Sequence, residues 1–322
     1  MLVFFVLSGF VLALPVRAGR LSWRTYYPQR LVRLYVPVWA SLVVAVVWTV
    51  VVPRREQPGL SGWYAAHVPV QGLGETARDA VLLGGTGWIN SPLWSLRWEV
   101  AFSLLLPLYV VGAVALRRAW LLKLGVLLLG VALFAGAEME RPLYLTIFAF
   151  GVVLAYEQER VTALARRVIH GPLLRAVPVV ACVLLITSES VLLALGAQSP
   201  AARGLATALQ VAGACLAVLL ALHWPWLQRA LGGGWVQWLG SRSFSLYLVH
   251  EPIAVSSGAA LPGLPMVLRL LLVLAVSLVV TEVFFRAVER PSHRLARRAG
   301  TLAGGRERAR ASAPPSSTSV AP

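Results

Sequence analysis

The feature that most constrains this chain is its succession of apolar runs. Nine occur, roughly at 1–14, 34–52, 98–116, 119–137, 142–156, 173–196, 204–223, 243–260 and 266–287. Several reach or exceed the roughly 18 apolar residues that mark a membrane-crossing helix. They are aliphatic and lack strand-like alternation. In lipid, where each backbone polar group must be satisfied internally, that pattern selects helices over barrel strands. Composition agrees: 58% of the 322 residues are hydrophobic and 13% charged, against about 25% charged in soluble domains. The sequence predicts an all-α, polytopic membrane protein of about nine transmembrane helices in one bundle.

The formal charge of +16 would suggest nucleic acid in a soluble chain. Here the arginines sit between apolar runs, where they orient a membrane protein, so no nucleic-acid role is expected. Arg17, Arg20, Arg24, Arg30 and Arg33 follow the first run with no acid among them. The next connection, with Arg54, Arg55, Glu56, Glu75, Arg78 and Asp79, balances to zero. Basic and balanced connections alternate to the end, which predicts a cytoplasmic carboxyl terminus and an external Met1. Cys182 and Cys215 fall inside apolar runs without metal-site or disulfide spacing. The long connection at 53–97 holds Pro53, Pro58, Pro69 and the GGTG run at 84–87. It reads as an irregular interfacial loop partly folded back into the protein. Residues 1–295 form the expected membrane domain, and 296–322, rich in Gly, Ser, Pro and Arg toward the end, the expected disordered cytoplasmic tail.

Polar residues within apolar helices are costly, so each is a candidate for function. In FFVLSGF, Ser8 and Gly9 either let two helices pack closely or leave room for a substrate chain. In PQRLVRLYVP, Arg30 and Arg33 share a face at the inner end of the second run. They are either topology signals or a pair suited to phosphate, since guanidinium offers bidentate donors. In SPLWSLRWEV, Ser95 and Glu99 lie four apart where the third run enters from outside. Glu99 either pairs with Arg97 or Arg78, or binds sugar hydroxyls beside the rings of Trp94 and Trp98. In RSFSLYLVHEPI, Tyr247, His250 and Glu251 fall near mid-membrane, as an acid–base group or as a structural histidine before a kink at Pro252.

These stretches together resemble the acyltransferase-3 family of bacterial integral membrane acyltransferases. The family's FFxxSGF segment matches Phe4 to Phe10, its arginine-rich stretch Arg30, Arg33 and Pro37, and its WSLxxE motif Trp94, Ser95, Leu96 and Glu99, with Pro107 beyond. Its late serine–aromatic and YLxH-P pattern matches Ser243, Phe244, Tyr247, Leu248, His250 and Pro252, and its closing acid–proline pattern Glu289 and Pro291. The resemblance implies transfer of an acyl group, most often acetyl, from cytoplasmic acyl-CoA to a hydroxyl of an envelope glycan, lipid-linked glycan or glycosylated metabolite at the plasma (inner) membrane. No bound cofactor is implied; acetyl-CoA would be a co-substrate. Arg30 and Arg33 would hold CoA phosphates, and Ser8, Trp94, Ser95 and Tyr247 would contact substrate. Glu99 and His250 are the catalytic candidates in the chain. The family's first helix carries an arginine and a histidine regarded as catalytic, and FFxxSGF belongs to its second. The resemblance therefore leads one to expect a further helix upstream of Met1, and poor insertion and no transfer without it. Two other readings stay open: an inactive remnant of the same fold, and a transporter or flippase of an amphiphile. The latter usually shows two related halves, and no repeat relates residues 1–150 to 151–290.

The charge alternation gives a direct expectation. A reporter fused after Arg298 should be cytoplasmic and one inserted near Gln57 external. Both on one side would overturn the nine-helix count.

Overall fold

The computed structural model describes residues 1–54, 62, 66–67, 72–82, 89–115, 117–168, 172–261 and 263–311. Gln57, Pro58, Pro69, the 84–87 run and residues 312–322 lie outside them. Among the described residues there are helices and turns and no strand, as expected of an all-α membrane protein. Each apolar run is helical, but the expected span count is not reproduced. Four described helices are long and apolar enough to cross a bilayer: Trp23–Val51, Leu93–Val114, Pro200–His223 and Met266–Gly305. A bent pair raises the number to five. Leu2–Arg17 and Trp120–Gly136 are apolar but short. The expected single helix at 173–196 is broken at Thr187, with a 58° bend. There the Thr187 hydroxyl donates back to the Val183 carbonyl (2.8 Å), the kind of side-chain competition that bends helices.

The chain divides into two compact units, Met1–Arg20 with Ala101–Leu239, and Leu21–Val100 with Gly240–Pro322. In the first, α1 (Leu2–Arg17) crosses the later helix Glu140–Val168 at Gly9 and Gly151. A Cβ on Gly9 would overlap the Phe148 carbonyl oxygen, and one on Gly151 the Val6 carbonyl oxygen. Phe5 fills the space above, packed on Phe148 and Tyr144. Trp120–Gly136 and Pro200–His223 meet likewise, Gly204 against the Ala132 backbone. Lipid tails are as apolar as leucine and give helices no hydrophobic reason to associate, so such small-residue contacts carry the packing. Ser8 lies half-buried beside this crossing.

The second unit contains α2 (Trp23–Val51), α3 (Leu73–Val81), the first part of α4 (Leu93–Val114), most of the Gly234–Ala260 helix, and a long carboxyl-terminal rod. The chain leaves α2 at Val51 and turns back along it. Tyr35 donates to the Val81 carbonyl (3.0 Å) and Trp39 to that of Ala80 (2.9 Å), so α3 ends beside residues 35–39 of α2. That is about 18 Å below Val51 at 1.5 Å per residue. The described residues 72–82 of the connection lie back along α2. Its walls share one core with α2, built on Val38, Leu42, Leu82, Ile89, Leu93, Leu96, Leu248 and Phe284.

The rod runs from Met266 to Ala311 and is α-helical except for a π turn at Phe285–Glu289. Residues 296–311, expected to be disordered, are helical. Beyond the π turn the helix Arg290–Ala311 lies antiparallel to the start of α2, Gly300 against Gln29 and Gly304 against Thr25. It buries Ser292 and Ala296. Composition registers glycine as a helix breaker, whereas here two glycines four apart form the docking stripe.

The α1 crossing makes a sharp test. Gly151→Leu should destabilise the folded protein in detergent by about 1–3 kcal/mol, as overpacking does, whereas Gly125→Leu, with open space around it, should not. Equal thermal midpoints for the two variants would remove the crossing from the packing of this unit.

Candidate functional site

The polar residues of the second unit are organised by a proline. Pro252, inside the Gly234–Ala260 helix, has no N–H for the Leu248 carbonyl four residues before it. Asn90 supplies the donor: its Nδ2 lies 3.0 Å from that oxygen and 3.2 Å from Ser41 Oγ. Asn90 is fully buried. This bond fixes where α4 begins, level with Ser41 and ten residues below the end of α2.

From that level the two helices descend together. Eleven residues down α2 from Ser41 stands Arg30, and nine residues along α4 from Asn90 stands Glu99. The steps are about 16 Å and 13 Å, so the side chains meet. Arg30 and Glu99 form an ion pair, 13% and 4% exposed. The sequence reading had set these residues at opposite faces of the membrane, with Arg97 or Arg78 as the partner of Glu99. The two meet because α4 begins beside Ser41 rather than beyond the end of α2. The Arg97 guanidinium lies over the Trp98 ring, 4.6 Å from its centre.

One turn before Glu99, Ser95 Oγ lies 2.7 Å from Tyr247 Oη, which donates to the Pro92 carbonyl (2.7 Å). One turn further, the Ser91 amide donates to Glu251 Oε2 (3.3 Å). Ser91, Ser95 and Glu99 thus form a stripe at i, i+4, i+8, and its first two members face Glu251 and Tyr247 in turn. The Glu251 carboxylate also faces His67, Nε2 at 3.5 Å from Oε1, and both side chains are buried. Arg54 holds the backbone around this pair, donating to the carbonyls of His67 (2.8 Å) and Ile89 (3.0 Å).

The structure therefore gathers Arg30, Ser95, Glu99 and Tyr247 along one seam, with half-buried Trp94 on the same helix. His250 is separated from Glu251: its Nδ1 bonds the Leu246 and Tyr247 carbonyls of its own helix (3.0 Å each), while Glu251 turns toward His67. Arg33 is exposed on α2. Ser8 belongs to the other unit. Glu289 accepts from Ser245 inside the π turn, and Arg242 pairs with Glu282 and lies over Phe285. Sequence reasoning passed over His67 and Asn90. His67 stands outside every apolar run, where a lone histidine carries no signal. Asn90 had one: a proline in a membrane helix leaves a carbonyl to be satisfied from elsewhere. Among the described residues no group of His, Cys, Asp and Glu could hold a metal.

Comparison with known proteins bears on this seam. The family model described as an acyltransferase domain matches residues 1–286. The chain belongs to the acyltransferase-3 family. It is also 30% identical over 126 residues to the acyltransferase MdmB of Streptomyces mycarofaciens. That match covers 38% of this chain and 32% of the relative, so the chain spans about a third of the curated relative's length. No solved structure matches it significantly. The stretches Trp94–Glu99 and Tyr247–Pro252 lie on the two helices of the seam: Ser95 meets Tyr247 across it, and Glu99 faces Arg30.

Breaking a buried ion pair costs more than replacing both partners. Arg30→Met or Glu99→Leu alone should each destabilise the protein by about 3–5 kcal/mol, and the double variant should recover most of that loss. Additive effects in thermal unfolding would show that the pair does not hold the two helices.

Proposed function

We propose that this chain moves an acyl group, acetyl in the simplest case, from cytoplasmic acyl-CoA to a hydroxyl of an envelope glycan or glycosylated metabolite. The observation that carries the reading is the convergence of three separate family motifs on one seam, at Arg30–Glu99 and Ser95–Tyr247, in a chain whose family match spans residues 1–286. Acyl transfer needs a base for the hydroxyl proton and donors for the charge that develops on the thioester carbonyl oxygen. Tyr247 and Ser95 set two hydroxyls on the seam, and the Glu99 carboxylate, paired with Arg30, orients the acceptor. Trp94 offers a ring face to a sugar.

Arg30 is engaged with Glu99, so the phosphate contact falls mainly to Arg33, exposed one turn nearer the core on the same helix. Arg33→Ala should weaken the use of acetyl-CoA about 10–100-fold, the worth of a hydrogen bond to a charged group, with kcat little changed. Lys should rescue in part because an ammonium cannot make the bidentate contact. Thiol release from acetyl-CoA, with octyl glucoside as acceptor, measures this. An unchanged KM in Arg33→Ala would return the residue to a topology signal.

A further inference from the structure

The first unit holds a cavity that the chemistry of the seam does not use. We infer that it binds one phospholipid with an anionic headgroup, an acyl chain in the cavity and the phosphate at its basic end. The site belongs to the first unit, whereas the seam belongs to the second, and it stands apart from the acyl-transfer reading.

Three helices line the cavity. The stripe Leu105, Leu108, Tyr109, Gly112 and Ala113 of α4 forms one wall, at i, i+3, i+4, i+7 and i+8. Such spacing is a single helix face. Ala119, Leu122, Lys123, Val126 and Leu127 repeat it on the helix Trp120–Gly136 and the turn before it, and Ala149 and Val153 of Glu140–Val168 complete the lining. Small residues between membrane helices ordinarily let the backbones close up. Here Gly112, Ala113 and Ala119 leave about 520 Å³ between the walls instead, within the roughly 300–1,000 Å³ of pockets that hold small ligands. A Cβ on Gly112 would meet nothing within 4 Å. Ala113 and Val153 are buried, whereas Leu108, Leu122 and Val126 are exposed and form the rim.

Three observations name the occupant. First, the walls are apolar along their length, and the Tyr109 hydroxyl is already used, donating to the Leu145 carbonyl (3.0 Å). A bound water needs two to four polar partners, so the cavity takes hydrocarbon. Left empty, it would forfeit dispersion contacts on every wall. Second, the polarity that is present lies at one end and is basic. The Lys123 ammonium, at the carboxyl end of α4, donates to the carbonyls of Ala113 (2.6 Å) and Ala115 (3.3 Å) and lies 3.5 Å from Glu157 Oε1. Glu157 is buried and also pairs with Arg160 (2.9 Å), so one carboxylate answers two cations. Arg118 is exposed at the same end. Basic pockets between membrane helices hold anionic lipid headgroups. Third, the length suits a lipid. From Ala113 to Leu105 the wall of α4 runs about 12 Å, close to the roughly 15 Å depth of one leaflet of hydrocarbon. A chain can therefore lie along α4 with its headgroup level with Lys123 and Arg118.

Native mass spectrometry of the whole chain tests this, after exposure in detergent to phosphatidylglycerol or to phosphatidylcholine with the same acyl chains. One phosphatidylglycerol is expected to stay bound per protein, about 10–100-fold tighter than phosphatidylcholine, the worth of a hydrogen bond to a charged group. Gly112→Phe sets a ring in the cavity, and Val126→Trp obstructs it from the exposed rim; each should abolish retention of both lipids. Gly125→Phe, in open space but outside the lining, should not. Arg118→Gln combined with Lys123→Met should leave a lipid bound and remove the preference between headgroups. Retention unchanged in both Gly112→Phe and Val126→Trp would overturn the cavity as the seat of the chain. Equal retention of the two lipids by the unaltered protein, or a preference that survives the double substitution, would overturn the anionic headgroup at this end. A dimer that takes up no lipid and falls apart in Gly112→Phe would replace the lipid by a second copy of the chain.

Discussion

The seam of the second unit depends on the bond from Asn90 to the Leu248 carbonyl. A proline inside a membrane helix leaves an acceptor that lipid cannot satisfy, and each unsatisfied group costs several kcal/mol there. The protein answers by bringing a side chain of the folded-back connection to that point. Once Asn90 is seated, the start of α4 is fixed in depth. The depth then decides which residues meet: Ser91 with Glu251, Ser95 with Tyr247, Glu99 with Arg30. A single backbone defect thus sets the register of the whole seam.

The two units solve association differently. In the first, Gly9, Gly151 and Gly204 bring backbones into contact, and dispersion between closely packed surfaces does the work. In the second, buried side chains pair across the helices. Paired charges of this kind are weak stabilisers, because desolvation offsets most of the attraction. Their value is in specificity: a slipped register would leave Glu99 or Glu251 buried without its partner. A rigidly registered seam is also what positioning of a thioester and a hydroxyl demands.

Much of this was legible in the sequence. The apolar runs gave the helices because their length and lack of alternation admit nothing else in lipid, and the motif residues Ser95, Glu99 and Tyr247 do lie together. The rest was hidden for identifiable reasons. Charge alternation reads faces, not depth, and it assigned the connection after α2 to one side without showing that the chain re-enters. The meeting of Glu99 with Arg30 is therefore not readable from the charges. His67 lies in a stretch without periodicity, so nothing local marks it as buried. The Thr187 break depends on a hydroxyl turning back on its own helix. Residues 296–311 look like a linker until α2 is placed beside them, where Gly300 and Gly304 become points of closest approach.

The π turn at Phe285–Glu289 has a consequence of its own. A π turn holds one residue more than the α-helical turn it replaces, and each residue advances an α-helix by about 100°. The two halves of the carboxyl-terminal rod are therefore out of phase: the apolar half is set by its contacts with the unit's core, the arginine-rich half by α2. Winding the turn as regular α-helix with all its residues kept would swing Gly300 and Gly304 about a quarter-turn off α2. The irregularity acts as a phase shifter, letting one continuous helix present two differently aimed faces to its neighbours.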